Sequence, residues 1–157
     1  MIHIRKATVT DVPAIHQLIY ELALYEKEPE QVDTTPEIMI RDGFGDNPLF
    51  EAFVAEHKED GIVGIALFYF GYSTWKGKLC YLDDLVVTER YRKQGIGKRL
   101  LNRLAVYAAE KDAGQLRWHV LDWNEPAIGF YKKIQAELDP TWITCRLSRE
   151  QLAKWEM

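Results

Sequence analysis

A chain of 157 residues and 18.3 kDa, 47% of them hydrophobic, matches one ordinary domain with a sizeable core, so a single domain over residues 1–157 is expected. No apolar run approaches the roughly 18 residues of a membrane span, and Met1-Ile2-His3-Ile4-Arg5 lacks a signal-peptide core, which predicts a soluble, cytoplasmic protein with no membrane partner. A net charge of -4 with only one short basic run argues against nucleic acid as a partner.

Taken in order, Ile2 to Arg5 alternates as a short strand, and Thr10-Asp11 offers an N-cap before a helix with Val12, Ile15, Leu18, Ile19, Leu22 and Tyr25 on one face. A second short helix is predicted from Thr35-Pro36-Glu37, where capping residue, first-turn proline and first-turn acid stand in the preferred order. Phe50 to Glu56 and Ile62 to Phe70 read as an antiparallel hairpin about Glu59-Asp60-Gly61. Trp75-Lys76-Gly77 then turns the chain into an apolar strand, Leu79 to Val87.

After that strand comes Tyr91-Arg92-Lys93-Gln94-Gly95-Ile96-Gly97-Lys98-Arg99, and then Leu100, Leu101, Leu104, Tyr107 and Ala108 at helical spacing. Period two gives way to period 3.6 across the glycines. A helix start leaves backbone N–H groups unpaired at the positive end of its dipole, the glycines admit close approach, and Arg92, Lys93, Lys98 and Arg99 add positive potential. A pyrophosphate fits that description, and so does a plain basic loop at a helix start. A Walker A loop is excluded by the Gly-x-Gly spacing and by Arg99 after Lys98, and a Rossmann fingerprint by Leu100 in place of a third glycine.

Downstream, Ala113-Gly114 stops the helix, and Leu116 to Leu121 alternates as another strand. Glu125 to Lys133 reads as a short helix with Asn124 as its N-cap, Thr141 to Leu147 as a last strand, and Ser148 as the cap of a terminal helix. Cys80 and Cys145 lie far apart inside apolar runs, which predicts buried free thiols. His3, His16, His57 and His119 lack metal-ligand spacing, so no metal is expected. Charge is strongly segregated. Glu21 to Asp60 holds twelve acids against three bases, while Glu89 to Arg103 holds six bases against one acid, a division suited to two ligands of opposite sign.

The order of elements and the motif residues together resemble the GNAT N-acetyltransferases over nearly the whole chain. Arg92-Lys93-Gln94-Gly95-Ile96-Gly97 matches the family's Arg/Gln-x-x-Gly-x-Gly/Ala signature, and Asn124 and Tyr131 fall where its second motif places them. Within the family the chain is similar to the diamine group, the spermidine/spermine and thialysine N-acetyltransferases, through Glu21 to Glu26, Tyr81 to Val87 and Asp122 to Lys132. The resemblance implies an α/β (α+β) fold with a mixed, twisted central sheet of about six to seven strands flanked by helices, its central strands splayed. It implies acetyl-CoA as donor, held by Leu85, Val86 and Val87 on the strand, by Arg92, Lys93, Gln94, Gly95, Ile96, Gly97 and Lys98 on the loop, and by Asn124 and Tyr131. It also implies a small-molecule amine as acceptor, held by Tyr25, Glu26, Asp83 and Asp84, and a homodimer; Trp142 is a further candidate to line the acceptor pocket. One departure stands out: the group usually carries Glu-Asp where this chain has Asp83-Asp84.

The chemistry of such a transfer asks for the same groups. An alkyl amine of pKa roughly 10.4 is protonated at neutral pH and must lose its proton before attacking a thioester. Neighbours on a regular strand face opposite sides, so one aspartate enters a given cleft; Asp83 is expected as a water-linked base and Asp84 to hold the acceptor. An unpaired N–H near Val86 or Val87 is expected to meet the oxyanion, and Tyr131 to protonate the departing thiolate. Three structural readings stay open: Tyr131 as a core aromatic, Trp142 as core, and Tyr25-Glu26 as merely a helix end. Two functional ones do too: a protein or peptide amine as acceptor, or an acyl-CoA-binding module without transfer.

Overall fold

The apolar runs of the first 119 residues become a five-stranded sheet in the computed structural model, which describes residues 1–155. Its strands are β1 (Ile2–Lys6), β2 (Glu51–His57), β3 (Gly61–Ser73), β4 (Gly77–Val87) and β5 (Gln115–Arg117), in that spatial order. The first four pair antiparallel and β5 joins β4 in parallel. Central β3 is covered on both faces, which is why Val63 to Phe68 is an unbroken apolar run with no alternation.

One face carries α1 (Val12–Tyr25) and α2 (Pro36–Phe44), whose Val12, Ile15, Leu18 and Met39 pack on Val54, Ile65, Leu67 and Val86. The other carries α3 (Ile96–Glu110), whose fully buried Leu100 and Leu104 are one turn apart. Tyr107 of α3 meets Phe53 edge-on, with ring centroids 5.4 Å apart. Each such aliphatic side chain contributes roughly 1.5–3 kcal/mol by leaving water. Thr35 caps α2 as the sequence predicts, its hydroxyl accepting the Ile38 N–H at 3.3 Å. The predicted cap of α1 works differently. Asp11 accepts the Thr8 N–H at 2.8 Å and a two-pronged bond from Arg5 at 2.7 and 2.9 Å, so it ties β1 to the helix entrance. Arg5 foremost holds that carboxyl at about 2.

β4 and β5 pair only from Leu79 with Gln115 to Tyr81 with Arg117, where β5 ends. Among the described residues no strand pairs with that edge of Leu82–Val87.

Residues 120 onward form a second unit, described by itself. It holds α4 (Glu125–Lys133), capped by Asn124, and α5 (Arg149–Ala153), capped by a reciprocal Ser148–Gln151 pair. Two expectations fail. The predicted strand Leu116–Leu121 shrinks to Gln115–Arg117, and Thr141–Leu147 forms no strand, so the sheet has five strands and not six or seven. Alternation states which face a strand would bury but supplies no partner edge, and Trp142 and Ile143 stay 73% and 86% exposed. For the same reason Cys145 is exposed and not buried, whereas Cys80 is buried as expected. No described helix is long and apolar enough to cross a membrane.

Candidate active site

The basic stretch forms the loop predicted for it. After a 3-10 turn at Glu89–Tyr91, Lys93 (φ 62°) and Gly95 (φ 77°) both adopt the left-handed conformation, and α3 begins at Ile96. Such alternation of hand turns successive N–H groups to one side and makes an anion-binding hollow. The Arg99 N–H bonds the Gly95 carbonyl at 3.1 Å, leaving the first-turn amides ahead of it without intrahelical acceptors. Arg92, Lys93, Gln94 and Lys98 are exposed around the hollow, while Ile96 is buried and offers only its backbone. A Cβ added at Gly95 would meet nothing within 4 Å, so the hollow is open. Glycine spacing, left-handed residues, helix start and cations together fit a pyrophosphate. Arg99 does not belong to the hollow, since its guanidinium donates to the Ile2 carbonyl at 2.9 Å. Arg92 donates to the Val87 carbonyl at 3.0 Å and lies 5.3 Å from the Tyr25 ring centroid, joining this loop to the end of α1.

A bulge sets the opposite side of the site. Leu67 pairs with Asp84 but Phe68 with Leu82, so Asp83 is an extra residue on β4. On one side of it Leu82 lies beside Phe68, whose ring contacts Tyr107, on the α3 face. On the other, Asp84 and Val86 lie beside Leu67 and Ile65 on the α1 face. Alternation is interrupted, and both carboxylates fall on the α1 face. This corrects the expectation that neighbours must face opposite sides, which holds for a regular pleat and fails at a bulge.

Asp84 enters a cleft of about 190 Å³, lined also by Leu22 of α1, by Glu26 at its C-cap and by Glu28, Gln31 and Val32 after it. Burial first, then the charges of Asp83 and Glu26, push the Asp84 carboxyl up to about 7. Burial also raises Glu26. Asp83 is exposed; loss of water raises it, with His119 opposing. Beside Asp83, the Tyr69 and Tyr81 rings lie 5.2 Å apart, and the Tyr81 hydroxyl bonds His119 Nδ1. Such a cleft suits a cation and takes up a proton near neutral pH.

The predicted residues thus divide. Tyr25, Glu26, Asp83, Asp84, Leu85 to Val87 and Arg92 to Lys98 all belong to the first 119 residues. Asn124, Tyr131 and Trp142 belong to the second unit. There Asn124 accepts the Ala127 N–H at 3.4 Å as the predicted cap, Tyr131 is buried with its ring 5.4 Å from that of Phe130, and Trp142 is exposed. Sequence reasoning missed Glu28, Gln31 and His119. The acidic segment was the only signal for Glu28, and nothing in it says which acids converge.

Comparison with known proteins bears on this arrangement. The model of a family described as "Acetyltransferase (GNAT) family" matches residues 13–135. A thialysine N-epsilon-acetyltransferase from Bos taurus is 43% identical over 141 residues, covering 85% of this chain and 83% of that one. A spermidine/spermine N(1)-acetyltransferase-like protein 1 from Homo sapiens is 37% identical over 98% of this chain, which spans 24% of that relative's length. Among solved structures, an integron cassette protein from the mobile metagenome of V. cholerae matches with a TM-score of 0.78 and 22% identity, covering 98% of this chain and 96% of that one, a likeness of fold.

Proposed function

The chain belongs to the acetyltransferase (GNAT) family, and from that premise we propose that it moves an acetyl group from acetyl-CoA to a primary amine of a small polyamine, diamine or lysine-like acceptor such as thialysine. The observation that carries this reading is the cleft where Asp84, raised to about 7, stands with Glu26 and Glu28. Carboxylates there attract an ammonium, and one of them takes its proton. The freed nitrogen attacks the thioester carbonyl carbon directly, the carbon–sulfur bond breaks, the nitrogen gives up its second proton, and one proton is returned to the departing thiolate, so that amide and CoA thiol are the products. The unpaired edge of β4 offers an N–H to the oxyanion. We assign the base to Asp84 and not Asp83, because Asp84 is the more enclosed member of the pair and lines the cleft. Neither Cys80, whose thiol burial pushes up to about 11, nor exposed Cys145 takes part.

An assay of CoA release over thialysine, lysine, spermidine, spermine and diaminopropane tests the reading. Turnover with at least one free amine is expected, and none with any would overturn it. Charge reversal, Glu26→Lys, is expected to raise the acceptor's KM by about tenfold while leaving the donor's unchanged; an unchanged acceptor KM removes Glu26 from the site. Tyr131 as proton donor rests on the family resemblance. A thiol of pKa roughly 8.5 leaves readily, so Tyr131→Phe is expected to lower kcat only about tenfold, with donor affinity intact. A homodimer completes the proposal on that same resemblance.

A further inference from the structure

The β2–β3 turn carries a cluster that the transfer chemistry does not use. His57 closes β2, and its Nδ1 accepts the N–H groups of Glu59 and Asp60 at 3.3 Å each, which sets the bend of the turn. From there the Asp60 carboxylate accepts the hydroxyl of Tyr91 and lies 3.3 Å from the Arg90 guanidinium. The Tyr91 ring is buried, with the Arg90 guanidinium carbon 5.6 Å from its centroid and the His57 ring at 5.3 Å. The hydroxyl first, then the Arg90 charge, hold the Asp60 carboxyl below its ordinary range, so it is a firm acceptor at neutral pH.

Tyr91 is the last residue of the 3-10 turn, directly before Arg92. On the far side of that turn the Gln94 side chain donates to the Arg90 carbonyl at 3.3 Å, and Arg92 donates to Val87. The turn is therefore gripped from both sides, and the left-handed Lys93 follows it. A non-glycine residue in that conformation persists only where its surroundings over-determine it. We propose that Asp60, through Tyr91, is a positioning residue that fixes the donor loop from a hairpin turn outside the active site. This rests on the acetyl-CoA reading above.

The test is steady-state kinetics with acetyl-CoA and the best amine of the panel, plus calorimetric binding of CoA, on the full chain. Tyr91→Phe, which keeps the ring, and Asp60→Ala are each expected to raise the acetyl-CoA KM about three- to tenfold with the amine KM and kcat near the wild-type values. The double variant should be no worse than the more impaired single one, since both remove one interaction. Asp60→Asn, which still accepts the hydroxyl, should recover part of the loss. A wild-type acetyl-CoA KM in both single variants would overturn the proposal, as would an equal rise in both KM values, the mark of general destabilisation. A wild-type chain that does not bind CoA overturns the acetyl-CoA reading and this proposal together, whereas wild-type binding with unaffected variants overturns this proposal alone.

Discussion

Asp84→Asn is expected to lower kcat by about 10²- to 10⁴-fold, the span typical of a lost general base, and at the same time to stabilise the folded chain at pH 8. Both effects come from the enclosure that raises the Asp84 carboxyl from 3.8 to about 7. Below pH 4 the group is protonated folded or unfolded and has no effect on stability. Between pH 4 and 7 the folded chain holds a proton that the unfolded chain has lost, so stability falls as pH rises. Above pH 7 the cost is fully present, up to about 4 kcal/mol for about three pKa units. Asparagine keeps the volume and removes the charge. Melting curves for both forms should therefore coincide near pH 4 and separate by pH 8, with the variant higher, while wild-type kcat/KM climbs as pH passes about 7. Asp83→Asn is expected to cost far less in kcat, because Asp83 is exposed. A reversed ranking would return the base to Asp83, and melting curves that coincide at pH 8 would show that Asp84 is not enclosed.

Gly95→Ala should weaken donor binding about tenfold, because a residue with a Cβ at φ 77° costs roughly 1–2 kcal/mol. The penalty is purely conformational, since the added Cβ meets nothing within 4 Å. Gly97→Ala separates the two effects of a Cβ: Gly97 lies within α3 and its added Cβ would sit 3.8 Å from Val87 Cγ2, an ordinary contact, so this variant is expected to fold at least as well as the wild type and to lose donor affinity only through crowding of the ligand, by less than Gly95→Ala does. Calorimetry with CoA on both variants decides. Equal losses would show that the left-handed turn at Gly95 is not what the donor requires.

The glycine loop and the start of α3 were legible because their signals are local. Glycine spacing, the change of period after Val87 and the run of cations all lie within one short stretch, and a helix start is built by a few consecutive residues. The caps at Thr35, Asn124 and Ser148 were readable for the same reason, as was the β2–β3 hairpin from its turn residues. The acceptor side was legible only as composition. Which of the twelve acids meet depends on where α1 ends against β4, and that contact brings Glu26 and Glu28 to Asp84.

By itself, then, the sequence determined a GNAT-like order of elements, the basic glycine loop at the start of α3 and the aspartate pair. Tertiary structure alone decided where that pair lies. A bulge is a property of two strands in register, so no pattern in β4 shows that Asp83 is the extra residue, that both carboxylates share the α1 face, or that Asp84 is the enclosed one. Pairing also decided the fate of Thr141–Leu147: its alternation is that of a strand, but a strand exists only where another edge supplies the hydrogen bonds. The Asp60–Tyr91 grip was hidden likewise, its two residues 31 positions apart and joined only because the β2–β3 turn folds back on the chain leaving β4.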